Sequence, residues 1–388
     1  MTVFRNVLLL MVLSGVTRRL PAQSVEEVDA TIREGIERGI YPAAAVVIGR
    51  GDSILYARGY GHFTWSPSSA VPTPDSTLWD IASISKVLGT ASAVMRLIDA
   101  GKVDLDAPVS RYLPRFSGGM KNRVTVRMLL DHTSGMRSYA PLFKRARTRE
   151  GAIEQLYAEP VVREPGAEPV YSDLNALLLG LLVETVSQTS LDQFVTREVF
   201  EPLGLDHTTY RPPASISRRV VPSAVWRGHP VQGQVNDPNA AVFGGVAGNA
   251  GIFTTAMDLA RYAQVWLRGG SGLSGQWVSP ATLKQFLTRG DKAGPRLLGW
   301  DTPEQNLREP SVFGTLISDA GYGHTGFTGT ELWIDPSRDL FLVFLTNRTF
   351  DPKVRDSMHR LRTVRADLSD AAIRLVPHAC QQELVARC

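Results

Sequence analysis

Ser83-Ile84-Ser85-Lys86 sets a hydroxyl and an amine at S-x-x-K spacing, where a loop over residues 78–82 meets a predicted helix. Residues three apart on a helix share a face, so the Lys86 amine can reach the Ser83 hydroxyl. A serine at a helix start also faces the positive end of the helix dipole, which favours an alkoxide. A free serine hydroxyl is a poor nucleophile and needs an adjacent base. Lysine fills that role only when desolvated or held near positive charge, so that it is neutral part of the time. Alone, S-x-x-K arises by chance as an N-cap serine and a solvated lysine, but two further stretches accompany it. Tyr171-Ser172-Asp173 precedes a long apolar run, and a tyrosine at such a junction can point its hydroxyl into a cleft. His324-Thr325-Gly326 opens the last hairpin, an edge from which the Phe327 N–H would join the Ser83 N–H as an oxyanion hole. The chemistry implied is acyl transfer through Ser83, with Lys86 and Tyr171 handling protons.

Competing chemistries lack their parts. Ser134, in His132-Thr133-Ser134-Gly135, has no evident partner base. There is no G-x-S-x-G elbow and no H-E-x-x-H, so neither an α/β-hydrolase nor a zincin is supported. The seven histidines are dispersed, without metal-ligand spacing, and no metal or cofactor is expected. The two cysteines, Cys380 and Cys388, lie far from every motif, which argues against cysteine catalysis. In an oxidising compartment they can pair and tie down the tail, or they can remain free.

The elements that must position these residues are legible. Val25, Val28, Ile32 and Ile36 give one apolar helix face, closed by Gly39. Residues 43–48 and 53–60 read as two strands around a turn at Gly49-Arg50-Gly51-Asp52, and residues 62–77 as a loop. Helical patterns cover 85–100, stopped by Gly101, then 125–130, the almost wholly apolar 174–186, and 257–267. Residues 211–250 are irregular. Strands over 330–334 and 340–346 flank the turn Asp335-Pro336-Ser337-Arg338-Asp339, and 353–375 reads as a helical region with one or two breaks. Strands at both ends with a helical middle predict an α/β (α+β) sandwich. In it, one antiparallel sheet is flanked by the terminal helices, a helical subdomain spans about 75–255, and the cleft lies between them.

The 388 residues are 43% hydrophobic and 21% charged, an ordinary globular composition. Net charge is +4, with 42 basic residues scattered among 38 acidic ones. No basic stripe suggests nucleic-acid binding. Residues 1–22 read as a secretory leader, with Arg5 before an apolar run over 7–16 and Ala22 at a cleavage point, although Arg18 and Arg19 are unusual so close to one. The expectation is an exported protein, periplasmic or secreted, with one domain over 23–375, a tail over 376–388 and no stable membrane insertion. A small molecule or peptide is the expected partner; the oligomeric state is left open.

The three motifs, in this order and context, resemble the serine β-lactamase and penicillin-binding-protein superfamily, in particular its class C-like branch. Trp79-Asp80-Ile81-Ala82, Leu129-Leu130-Asp131-His132-Thr133-Ser134-Gly135-Met136 and Gly248-Asn249-Ala250-Gly251-Ile252-Phe253-Thr254-Thr255 extend the resemblance over residues 25–375. That branch includes DD-peptidases, D-amino-acid peptidases and esterases. The resemblance implies a β-lactamase/transpeptidase-like fold and Ser83 as the acylated residue. Asp173 stands where many relatives carry asparagine. Its charge would favour a protonated Lys86 and shift the base role toward Tyr171. His324 stands where β-lactamases usually carry a lysine that grips a substrate carboxylate. With Thr325, Gly326 and Phe327 it would line the substrate site, and a neutral imidazole there makes penicillin hydrolysis less efficient. A cell-wall-type D-amino-acid peptide and a small ester rank ahead of a β-lactam as substrate. A penicillin-binding sensor that acylates without turnover is the alternative from another class.

Overall fold

The computed structural model describes residues 22–272, 275–290, 293–303 and 311–376. The expected leader up to residue 21, and the tail from residue 377 with Cys380 and Cys388, lie outside the described residues.

The two ends of the chain build one antiparallel sheet. Its strands are β1 (Ala43–Arg50), β2 (Ser53–Gly61), β3 (Tyr322–Thr325), β4 (Glu331–Asp335) and β5 (Leu340–Thr346), in the order β3-β4-β5-β1-β2. β1 and β5 pair antiparallel at the centre, with Val46 opposite Phe344. Both are apolar almost throughout, as strands covered on both faces must be. Successive side chains point to opposite faces. Ala44, Val46, Ile48, Leu342 and Phe344 therefore meet the terminal helices α1 (Ala22–Glu37) and α5 (Ser357–Leu375). Ala45, Val47, Val343 and Leu345 join the core of the helical middle of the chain. There α2 (Ser92–Asp99), α3 (Asp173–Ser187) and α4 (Ala256–Leu267) contribute, and α4 lies against β1, β4 and β5. The layers are those expected of an α/β/α sandwich.

Three elements differ from the sequence reading. The helix expected over 85–100 is a composite: a 3-10 turn at Ala82–Ile84, a π-helical segment at Lys86–Ala91, and α2. The loop expected over 78–82 contains a short strand, Trp79–Asp80, paired with Ile252–Thr254. The C-terminal helix is unbroken from Ser357 because its buried stripe of Leu361, Val364, Leu368, Ala371, Ala372 and Leu375 never loses its three-to-four spacing. The irregular 211–250 stretch holds a 3-10 helix, a small hairpin and a one-turn helix, Pro238–Val242. Among the described residues no single helix is long and apolar enough to cross a membrane, and the apolar α3 is buried in the core.

Glu331, at the start of β4, is fully buried, and neither carboxylate oxygen has a hydrogen-bond partner among the described residues. Burial pushes its pKa up to about 8, against the pull of the Arg365 charge on α5. Between the ordinary 4.5 and about 8 the folded state thus holds a proton that the unfolded state has lost, so stability falls as pH rises through that window. Glu331→Gln is expected to flatten that slope and stabilise the protein at pH 8, by on the order of a few kcal/mol. Urea unfolding of both proteins at pH 5 and pH 8 checks it; equal slopes would contradict it.

Candidate active site

Ser83 is held by a bent approach rather than by an α-helix N-terminus. Asp80 bends the chain: its carboxylate accepts the Ala82 N–H at 2.8 Å and the Asn236 N–H at 2.7 Å. Ala82 then sits at φ +46°, an unfavourable conformation for a residue with a Cβ that persists only where its surroundings fix it. A 3-10 turn follows, in which residues three apart nearly eclipse, bringing Lys86 over Ser83. The dipole argument for Ser83 accordingly gives way to one of local geometry. Beyond it the widened π-helical segment packs Gly89 tightly, since a Cβ there would lie 2.8 Å from Ile252 and from the Tyr210 hydroxyl.

The Lys86 ammonium, 5% exposed, faces three oxygens. It donates to Ser83 Oγ at 2.9 Å and to the Asn249 carbonyl at 3.0 Å, and forms an ion pair with Asp173 at 2.6 Å. Burial alone would lower its pKa; the charges and hydrogen bonds of Asp173 and Tyr171 together override this, and the result lies above the ordinary lysine value. Tyr171 is half-buried, and its hydroxyl interacts with both Lys86 and Ser83. Burial raises the phenol's pKa while the Lys86 charge opposes the rise. The Lys86 ammonium and the Arg296 guanidinium each lie 5.1 Å from the Tyr171 ring centre.

On the opposite wall, β3 is the sheet edge that the sequence placed there. The turn after it is bolted to the segment leading into Ser83. Thr328 Oγ1 donates to the Asp80 carbonyl at 2.7 Å and Thr330 Oγ1 to the Ile81 carbonyl at 3.0 Å. Gly326 leaves no room for a side chain: a Cβ would lie 2.1 Å from Thr330 Oγ1 and 2.5 Å from the Ile81 carbonyl. The Phe327 N–H meets no acceptor among the described residues, and the Phe327 ring is exposed. His324 is buried and donates from Nδ1 to the Thr325 carbonyl at 2.8 Å, which leaves Nε2 as a bare acceptor with no partner among the described residues. Burial holds its pKa down at about 4, against the pull of Asp301.

Ser83, Tyr171, Asp173, His324, Thr325, Gly326 and Phe327 all line one cleft of about 530 Å3, with Lys86 beneath Ser83. Every site residue expected from the sequence is brought to one place. Ser134 is not among them: it is buried and donates to Asn175 Oδ1 at 2.7 Å. The sequence reading missed several groups. Asn249 supplies the carbonyl that holds Lys86, and its Nδ2 donates to Asp237 at 3.0 Å, which leaves a buried Oδ1 unpartnered among the described residues. That residue lay in a stretch flagged only by resemblance. Arg296, paired with Asp301, brings a positive charge to the cleft, and nothing in the surrounding sequence signals it. Among the described residues no group of three or more His, Cys, Asp or Glu side chains could hold a metal.

Fold and site together define a serine hydrolase that works by acyl transfer. The family profile described as Beta-lactamase matches residues 28–367, and the chain belongs to that family. A protein of Escherichia coli (strain K12) described as "Putative D-alanyl-D-alanine carboxypeptidase" is 29% identical over 364 residues, covering 85% of this chain and 83% of its own length. The fold is shared with EstCE1, a hydrolase with promiscuous acyltransferase activity (TM-score 0.70, 22% identity, 89% of this chain and 99% of the other). It is shared equally with a class C beta-lactamase (TM-score 0.71, 21% identity, 90% and 96%).

The site's two buried histidines must adopt opposite tautomers. His132, whose ring centre lies 4.8 Å from that of Tyr171, accepts the Ser172 N–H on Nδ1 at 3.2 Å and so carries its proton on Nε2. His324 carries its proton on Nδ1. Nitrogen NMR of 15N-histidine-labelled protein at pH 6, with each site assigned by substitution, should show one neutral ring of each kind, with His324 titrating only near pH 4. A His324 midpoint above 6, or a shared tautomer, would contradict the geometry.

Proposed function

We propose that the chain hydrolyses peptides ending in a D-amino acid, through an acyl-enzyme on Ser83. The reading is carried by one observation: Lys86, 2.9 Å from Ser83 Oγ, is ion-paired to Asp173 at 2.6 Å and held protonated. A protonated lysine donates and cannot accept, so Tyr171 takes the Ser83 proton as Ser83 Oγ attacks the carbonyl. The Ser83 and Phe327 N–H groups stabilise the oxyanion. The leaving amine departs with the proton from Tyr171, and water then attacks the ester along the same route in reverse. The reactive form is the minority phenolate, so kcat/KM climbs with pH.

A peptide is favoured over an ester by two unpartnered buried acceptors at the cleft, His324 Nε2 and Asn249 Oδ1, which a substrate amide N–H can satisfy. Arg296 supplies a positive charge for a terminal carboxylate, weakened by its pairing with Asp301. The E. coli relative's description supports the same substrate class. Ester hydrolysis is the second reading, favoured by the exposed Phe327 and Tyr139 rings at the cleft. The leader-like run over 7–16 supports an exported enzyme, which is where such peptides occur.

A panel of a D-alanyl-D-alanine peptide, a p-nitrophenyl ester and a chromogenic cephalosporin tests this. Turnover is expected to be best on the peptide and lost in Ser83→Ala, with any trapped acyl group on Ser83 by mass spectrometry. A single burst without steady state would favour the sensor instead. In the same panel His324→Lys should raise kcat/KM for the carboxylate-bearing cephalosporin by about 10-fold, the low end for a charge-assisted bond of about 1.5–3 kcal/mol, and leave the neutral ester unchanged. An unchanged ratio would mean that His324 does not face the substrate carboxylate.

A further inference from the structure

Two arginines remote from the three motifs in sequence converge behind the turn that carries the Phe327 N–H. Arg365, on α5 and 3% exposed, donates from Nη2 to the Gly326 carbonyl at 3.0 Å and to the Thr330 carbonyl at 2.8 Å. Arg348, just past β5 and 6% exposed, donates from Nε to the Phe327 carbonyl at 3.2 Å and from Nη1 to Ser357 Oγ at 3.0 Å. Its guanidinium also lies 4.8 Å from the centre of the Phe327 ring.

The Gly326 carbonyl and the Phe327 N–H belong to one peptide unit. In a planar trans peptide the two point in opposite directions. Fixing the carbonyl on Arg365 therefore fixes the N–H on the other side. Arg348 fixes the next carbonyl, so that neither peptide can rotate. Hydrogen bonds from a cation are stronger than neutral ones, and a carbonyl polarised in this way makes its own N–H a better donor. Burying two guanidinium groups is costly, so a fold that keeps both here keeps positive charge behind this turn. Burial lowers both pKa values only to about 10, with the charge of Arg365 adding to the effect at Arg348 and that of Arg362 at Arg365, so both remain charged at neutral pH. Glu331, the acid that acts on Arg365, stays protonated up to about pH 8 and does not cancel that charge.

We propose that Arg365 and Arg348 are positioning residues for the oxyanion-binding peptide: by holding the Gly326 and Phe327 carbonyls inward, they aim and polarise the Phe327 N–H toward the oxygen of the reacting carbonyl. The inference rests on the reading of Ser83 and the Phe327 N–H given above. It adds a second contribution of α5, which covers the sheet and whose Met358 and Arg365 reach the cleft.

The test uses a p-nitrophenyl ester and phenylboronic acid, which forms a tetrahedral adduct with a nucleophilic serine and presents an oxygen where the oxyanion would lie. Removing an oxyanion-hole donor costs about 10²–10³-fold in kcat; here the donor stays and only its aim is lost, so Arg365→Met should lower kcat by about 10- to 100-fold. Boronate affinity should fall by the same factor, and KM should stay within about threefold. Arg365→Lys, which keeps the charge, should recover part of both losses at an unchanged KM. That variant also carries the test if Arg365→Met does not fold, as judged by thermal melting. Unchanged kcat and boronate affinity in a folded Arg365→Met would overturn the proposal. So would a loss confined to KM, which would place Arg365 against the substrate. Wild type that binds the boronate no better than Ser83→Ala would overturn the nucleophile reading itself, and this inference with it.

Discussion

The site depends on keeping one ammonium charge, Lys86, buried without leaving it unpaired. A lone ion in a protein interior is expensive, and one deprived of its partner destabilises the fold by about 3–5 kcal/mol in measured cases. Here the compensation comes from three separate parts of the chain: Ser83 in the preceding turn, Asp173 at the head of α3 and the Asn249 carbonyl. The same contacts choose the lysine's protonation state. Asp173 and Tyr171 together outweigh desolvation, so in the proposed mechanism the charge that holds the serine is not also the base.

Much of the scaffold follows from bringing those parts together. The Gly248–Thr255 stretch is tied to the S-x-x-K segment by Thr90 Oγ1 donating to the Gly248 carbonyl and by the Ile252 N–H donating to Ser85 Oγ, at 2.8 and 3.1 Å. Gly248 also abuts α3, where a Cβ would lie 1.9 Å from the Ala176 carbonyl. On the other wall, Thr328 and Thr330 bolt the β3–β4 turn to Asp80 and Ile81. The proposed oxyanion donors therefore sit on two segments locked to each other rather than on independent loops, the precision that electrostatic stabilisation of a transition state requires.

The sequence made the sheet and the three motifs legible because both rest on strong local signals. The β1 and β5 runs are too apolar to be anything but buried strands, and Ser83, Lys86, Tyr171, Asp173 and His324 belong to short patterns with defined chemistry. The irregular helix after Ser83 was not legible, because its π-helical widening answers to packing against Ile252 and Tyr210, far away in sequence. Arg296, Arg348 and Arg365 were equally hidden. An arginine reads as a surface charge until a tertiary structure shows a carbonyl or an aromatic ring against it. The unpartnered acceptors on His324 and Asn249 emerge only once every neighbouring donor has been placed.

The central claim is that Lys86 holds charge while Tyr171 moves the proton. It is tested most directly by the acylation rate of two variants in a single-turnover experiment with a p-nitrophenyl ester, each checked for folding. Tyr171→Phe should lose about 10²–10⁴-fold, the usual contribution of a general base. Lys86→Arg, which keeps a cation that cannot deprotonate, should lose far less. A Lys86→Arg variant as inert as Ser83→Ala, beside a Tyr171→Phe variant that acylates at nearly the wild-type rate, would contradict the account and make Lys86 the base.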